Sequence, residues 1–479
     1  MPKQRNFTRP VAFGQNAVLI PPPSLGFYRM SKLPFSLCVL ALLASGNAAA
    51  ADPAVQETRN SPASDAPVAT SGAGTGMFDT PTTSVGKESR AVSIYDLSGV
   101  GQVGEDGAFT APGFGAPRRL ESGLMLYAGV NAGYGYNDNL LSAPSNTLES
   151  SYYAIQPALM AEAKKGGDRY TLGYTGNFTR YTDTSNDDFN NHQLALAGDN
   201  RFTTKSTLGW TLGYAQGVDP RGSTDRPQSA EPDRWGAWNA RAMYGYGSAG
   251  AQGRIELEGN ATRKRYDNNL IYTEAGDGDL MGLSGRFIYR VMPKTSAVLE
   301  ARHAVSDYSL GTSTNDNSDQ RYLVGVVWDA TAKTSGSFKL GYMNRDYDQA
   351  SKPSASGSTW EGGIKWSPLT YSVFDLKTVR TVNDSTGLGN FIHTTDSTLA
   401  WNHVWVSRFS SRLSLGYGKD DYDGIARNDT RSSVGAGVFY ALRPNLRTGL
   451  EYSHVERDSD LSGYDYTRNT ALLSLSGTL

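Results

Sequence analysis

The stretch Leu124-Met-Leu-Tyr-Ala-Gly-Val-Asn-Ala-Gly-Tyr-Gly-Tyr-Asn137 decides how this chain is read. Leu124, Leu126, Ala128, Val130, Ala132, Tyr134 and Tyr136 fall on one face of an extended chain. Gly129, Asn131, Gly133, Gly135 and Asn137 fall on the other. Successive side chains of a strand point to opposite sides, so this is a strand with one oily and one wet face. The pattern returns in Tyr170, Leu172, Tyr174 and Phe178, in Leu208-Trp210-Leu212-Tyr214, in Tyr322-Val324-Val326-Trp328, in Trp360-Gly362-Ile364-Trp366 and in Leu413-Leu415-Tyr417. No run resembles a transmembrane helix. A chain of such strands in lipid must close into a barrel, because an unpaired strand edge has no partner there.

The connections carry a second signal. Short ones, such as Met292-Pro293-Lys294-Thr295, Ser367-Pro368-Leu369-Thr370 and Arg443-Pro444-Asn445-Leu446, alternate with long polar ones, such as Asp219 to Asp233, Asp267 to Asp279, Ser309 to Asp319 and Gly418 to Asn428. Short periplasmic turns and longer external loops are the habit of outer-membrane barrels. The predicted fold is therefore all-β, a transmembrane antiparallel barrel of about 18 strands (16–18) over residues 121–479. Two strands read weakly, near Asn190 to Asn200 and from Tyr371 to Arg380, where the alternation blurs.

Residues 1–51 read as an address: an upstream extension, then Met30-Ser-Lys-Leu-Pro-Phe-Ser-Leu-Cys-Val-Leu-Ala-Leu-Leu-Ala and small residues, the plan of a secretory signal peptide with Met30 as a second candidate start and cleavage near Ala50 or Ala51. Residues 52–120, rich in Ala, Ser, Thr, Gly and Pro, read as a flexible periplasmic segment. The sole cysteine, Cys38, lies in the address, so the expected mature chain has no thiol chemistry. The five histidines, His192, His303, His393, His403 and His454, form no metal-ligand spacing, and no metal or cofactor is expected. With 45 Lys+Arg against 47 Asp+Glu, no global field points to nucleic acid. Ser453-His454 and Ser306 near His303 are the nearest things to a nucleophile and base and sit in no catalytic motif, so no enzyme is expected.

With the oily face outward, the alternation sends Arg241, Glu256, Glu258, Arg286, Arg290, Glu300, Arg302, Lys339, Arg345, Asp375, Lys377, Arg412 and Glu451 into the lumen as candidate pore-lining residues. They are either cross-strand ion pairs that stiffen the wall or a lining that tunes selectivity. Tyr152, Tyr153, Tyr181, Trp235, Trp238, Tyr308, Trp366, Trp401 and Trp405 are expected in the interfacial girdles. The acidic residues Asp183, Asp187, Asp188, Asp420, Asp421, Asp423, Asp458 and Asp460 read as solvated external loops.

Tyr134-Gly-Tyr-Asn-Asp-Asn-Leu140, the following Ser150 to Pro157, and Arg169-Tyr-Thr-Leu-Gly-Tyr174 with Tyr181 resemble putative β-barrel porin family 2, the barrel of exopolysaccharide biosynthesis operons, over Ser122 to Leu479. The resemblance implies an outer-membrane conduit for a secreted or capsular polysaccharide, working with a periplasmic polysaccharide-export protein and placed in lipid by the outer-membrane assembly machinery. A general porin for small hydrophilic solutes and a surface adhesion protein are the alternatives. One departure stands out: such barrels usually end in an aromatic residue, and this chain ends Leu473-Ser-Leu-Ser-Gly-Thr-Leu479.

Overall fold

A computed structural model describes residues 117–479 apart from 227, 228, 249, 332 and 386. The expectations for a signal peptide, for Met30 and for most of the segment 52–120 lie outside the described residues. Arg118–Arg119 (β1) lies beside the first long strand. Eighteen long strands follow: β2 (Met125–Asn137), β3 (Ser150–Lys165), β4 (Asp168–Tyr181), β5 (Phe189–Arg201), β6 (Ser206–Asp219), β7 (Asp233–Tyr246), β8 (Gly253–Tyr266), β9 (Gly278–Met292) and β10 (Thr295–Tyr308). The second half runs through β11 (Asn317–Thr331), β12 (Thr334–Tyr347), β13 (Ala355–Leu369), β14 (Ser372–Asp384), β15 (Phe391–Val406), β16 (Phe409–Tyr422), β17 (Asn428–Arg443), β18 (Leu446–Ser459) and β19 (Tyr466–Thr478).

Each strand pairs antiparallel with its chain neighbours, and β19 pairs with β2 from Thr470↔Asn137 to Thr478↔Gly129, so β2 to β19 form one closed ring of eighteen. No helix among the described residues is long and apolar enough to cross a membrane. A closed ring pairs strand backbones with one another on both sides and leaves no open sheet edge, as a barrel in lipid requires.

The alternation sorts the two faces. Val130, Leu172, Tyr322, Val324, Leu340 and Leu450 are exposed on the outside, while the chain neighbours Asn131, Thr171, Arg321, Leu323 and Lys339 are buried. An outward belt of this kind suits hydrocarbon. Both weak strands form. In β14, Val373 and Val379 alternate with Phe374, Thr378 and Arg380, so neither face is purely oily, and pairing with β13 and β15 holds it in the sheet instead.

One barrel end has tight turns, such as Pro293-Lys294, Thr370-Tyr371, Ser407-Arg408 and Pro444-Asn445, and the ladder shifts register beside each of these. Such bulges sharpen the local twist at a rim. The other end has the long loops and the packed side-chain clusters. Met343, Tyr347, Ala355, Val382 and Phe391 form one, and Ala215, Trp235, Ala237 and Tyr266 another.

Candidate functional site: the lumen and its outer mouth

Antiparallel register sets residues of one parity side by side, so inward charges meet across neighbouring strands. Glu256, Arg286 and Glu300 stand in one row on β8, β9 and β10. Arg286 reaches Glu256 at 3.0 Å and Glu300 at 3.2 Å, and also pairs with Glu258. Arg241 on β7 closes on Glu258 at 2.8 Å and 2.9 Å, a two-point guanidinium–carboxylate contact. Glu300 also takes Arg302 at 2.8 Å and Lys339 at 2.9 Å. Arg302 and Lys339 share Glu361 on β13, the lysine at 2.8 Å. The result is a continuous chain of alternating charge along the wall from β7 to β13.

Glu361 was not among the residues picked out from sequence. Its signal was present: it lies between Trp360 and Gly362, on the wet face of a strand whose oily face was recognised.

A second network lies at the loop end. Arg345, fully buried, is held by Asp319 at 3.2 Å and Asp384 at 3.0 Å, and the hydroxyls of Tyr308 and Tyr347 donate to Asp384 at 2.8 Å and 2.9 Å. Tyr308 ends β10 and Asp384 ends β14, so this contact joins strands that are not neighbours. Arg431 on β17 clamps Asp420 at 2.7 Å and Asp396 at 2.8 Å. Of the remaining candidates, Arg412 and Glu451 flank Gly437 in one row across β16, β17 and β18. Asp375 and Lys377 lie two apart on β14, and Arg290 lies near the tight-turn end of β9.

Several sequence expectations need correcting. Asp319 reads as the end of a long polar connection and Asp420 as a solvated loop residue, yet the strands run farther outward than the hydrophobic pattern, and both carboxylates are buried against arginines. Asp187 does lie in a loop, but it too is buried, against Arg221. Among the expected girdle residues, Tyr152, Tyr181, Trp235 and Tyr308 turn inward. Tyr152 packs on Ala154, Leu472 and Tyr181, and the Trp235 indole donates to Asp219 at 2.8 Å. Tyr153, Trp238, Trp366 and Trp405 are exposed, as a girdle requires. The inward group sits at outer strand ends, where aromatic content alone does not tell a girdle from a packed mouth.

Above these networks lies the connection from β6 to β7. Arg221 binds Asp187, with Nε to Oδ1 at 2.8 Å, and Arg226 binds Asp219 and Asp233, each at 3.0 Å. The neighbouring Asp225 accepts from the Tyr422 hydroxyl at 2.7 Å and from Arg427 at 3.1 Å, on the β16–β17 side. Burial opposes the cations of Arg226 and Arg427. Tyr266 and Asp219 for the first, and Asp429 and Asp225 for the second, more than offset it and hold both pKa values above the usual range.

This closed ring with a charged inner face, over residues 123–478, matches the putative beta-barrel porin 2 family. The chain belongs to that family. No curated protein matches it in sequence. Solved structures with a similar barrel include Pseudomonas aeruginosa OccK3 (OpdO), at 14% identity over 74% of this chain and 96% of that one with a TM-score of 0.43. A BenF-like porin from Pseudomonas fluorescens Pf-5 gives 11% over 76% and 100%, with a TM-score of 0.44. The FrpB iron transporter from Neisseria meningitidis (F3-3 variant) gives 10% over 69% of this chain, which spans 62% of that longer one, with a TM-score of 0.40.

Membership of the beta-barrel porin 2 family places this chain in the outer membrane as a porin-like barrel, its exposed belt toward lipid and its charged face inward. Among the described residues of the porin, no three His, Cys, Asp or Glu side chains gather where a metal ion would be held.

Proposed function

We propose that this porin is a water-filled channel for small hydrophilic solutes, charged ones included. The observation that carries the reading is the inner face itself. Arg241, Glu258, Arg286, Glu300, Arg302, Lys339 and Glu361 lie on the side away from the apolar belt and pair along the wall. Charges of this density are tolerated where water or other charges solvate them, and a ring of them selects solutes by sign as well as size. The thirteen residues singled out from sequence are proposed to line that path, with outer-membrane lipid around the belt and the assembly machinery as partner during insertion.

The test is reconstitution of the barrel in planar bilayers and in liposomes with sugars and amino acids of increasing size. Stepwise conductance and size-limited swelling by the barrel alone are expected; a barrel that inserts and stays silent sinks the reading. Export of a polysaccharide, which the family resemblance implies, makes the opposite demand, a conduit working only with its periplasmic partner. Deletion in the host, with secreted and periplasmic polysaccharide measured in the same cells, separates the two. Loss of surface polymer with periplasmic build-up would favour export, and unchanged secretion leaves the small-solute channel.

A further inference from the structure

The β6–β7 connection is fixed to both sides of the barrel. In a ring of eighteen strands β7 and β16 lie nine apart in either direction, so they are diametrically opposed. With strands about 4.8 Å apart and tilted by about 40°, such a ring has a backbone diameter on the order of 35 Å, more than two facing side chains span. Yet the consecutive residues Asp225 and Arg226 hold opposite walls: Arg226 holds Asp219 and Asp233 at the ends of β6 and β7, and Asp225 holds Tyr422 and Arg427 at the far side. The backbone itself must have crossed the mouth.

Two close approaches fix its course. Gly222 has φ +75°, and a Cβ there would lie 1.8 Å from the Leu141 carbonyl oxygen, so only glycine fits. At the far end, a Cβ on Gly387 would lie 2.5 Å from the Asp225 carbonyl oxygen.

The far side is a finished receptor. Arg427 is buried, its guanidinium lies 4.2 Å from the Tyr422 ring centre and 3.8 Å from that of Tyr464, and its Nε donates to Asp429 at 2.9 Å. Asp429 in turn accepts from the Ser459 hydroxyl at 2.6 Å. If Asp225 leaves, Arg427 keeps Asp429 and both rings, so no buried cation is left unpaired. Loss of Asp225 would thus leave Arg427 its counter-charge and both rings.

We propose that the segment Pro220–Arg226 is a strap across the outer mouth that sets the size limit of the channel, with Asp225 as its detachable latch onto Tyr422 and Arg427. The proposal rests on the channel reading above. The experiment uses the full chain with Cys38→Ser and has two readouts. In the first, Asp225→Cys and Tyr422→Cys are joined by a short bifunctional thiol reagent, detected as a mobility change on gels. In the second, the conductance and solute size limit of Asp225→Ala and Tyr422→Phe are compared with the parent. Cross-linking is expected in the folded barrel, with conductance of Asp225→Ala up roughly twofold and a larger sugar admitted as the mouth is no longer divided. Absence of the cross-link in a folded barrel overturns the strap. A cross-link with parent and variants conducting alike overturns its role in size selection while the channel reading stands. A cross-link with every barrel silent overturns the channel reading, and the strap's selective role falls with it.

Discussion

Glu361 shows what one inward carboxylate does in this wall. It is the shared partner of Arg302 and Lys339, so Glu361→Gln removes one of the two carboxylates between these cations and leaves Glu300 to both. The expected cost is about 1–3 kcal/mol, since a partly buried charged partner is lost. A lower temperature of the heat-induced gel-mobility change should register it, and reversal potentials in a salt gradient should move toward anion preference. Lys352, in the connection after β12, offers a pH test. Burial pushes its ammonium down to about 8, with Asp384 opposing and Arg345 adding to the shift. Its Nζ donates to Asn315 at 2.5 Å and lies 3.9 Å from the Tyr347 ring centre. A depressed lysine pKa means that the unfolded chain holds the proton over a range where the folded one does not. This contribution therefore penalises the fold below about 8 and fades as pH rises toward the ordinary lysine range. Lys352→Met should flatten that rise in protease resistance of the β12–β13 loop; an unchanged pH profile would show that Lys352 is not its source. At this scale the sequence was half legible: period two puts Arg302, Lys339 and Glu361 alike on the wet face, whereas the meeting of Arg302 on β10 with Glu361 on β13 needed the register across strands that are not neighbours.

The hairpin is the unit at the next scale. The β10–β11 loop, with open space around Gly311, and the tight turn Pro293-Lys294 lie at opposite ends of the barrel. An epitope inserted after Gly311 should bind antibody on intact cells, and one between Pro293 and Lys294 only after the outer membrane is opened; the reverse labelling would invert the barrel. The segments Tyr136-Asn-Asp-Asn-Leu140 and Tyr266-Asp-Asn-Asn-Leu270 echo each other, and both have a local role. In the first copy Asn139 donates to the carbonyls of Ala143 and Thr467, and in the second Asn269, at φ 53°, donates to Glu231 and Asp233. Asparagine tolerates the left-handed region and bonds nearby backbone, so both copies fasten an outward strand end to a loop. Strand existence was legible because lipid outside and water inside impose opposite polarity on alternate residues. Strand ends were not, because above the membrane that contrast disappears: Asp319 and Asp420 continue the ladder as polar residues and look like loop.

For the whole molecule, closure is the stabilising event. Removing β19 (Tyr466–Thr478) and the residue after it takes away the partner of both β18 and β2, leaving two open edges in lipid. The truncated chain should give no heat-modifiable band and no conductance, and a truncated barrel that still resists protease would refute closure through β19. On the outer belt, Val324→Arg at mid-strand should cost about 2–4 kcal/mol in refolding into vesicles, the penalty for a cation in hydrocarbon. The sequence by itself determined the ring: period two, alternating loop lengths and an oily face of constant parity follow from the two solvents, and each can be read one strand at a time. Tertiary structure decided the rest. Which inward charges neutralise one another, which aromatics leave the girdle for the mouth, and that Asp225 meets Arg427 across the diameter all depend on how the sheet closes, and closure brings together residues some two hundred positions apart that no local pattern connects.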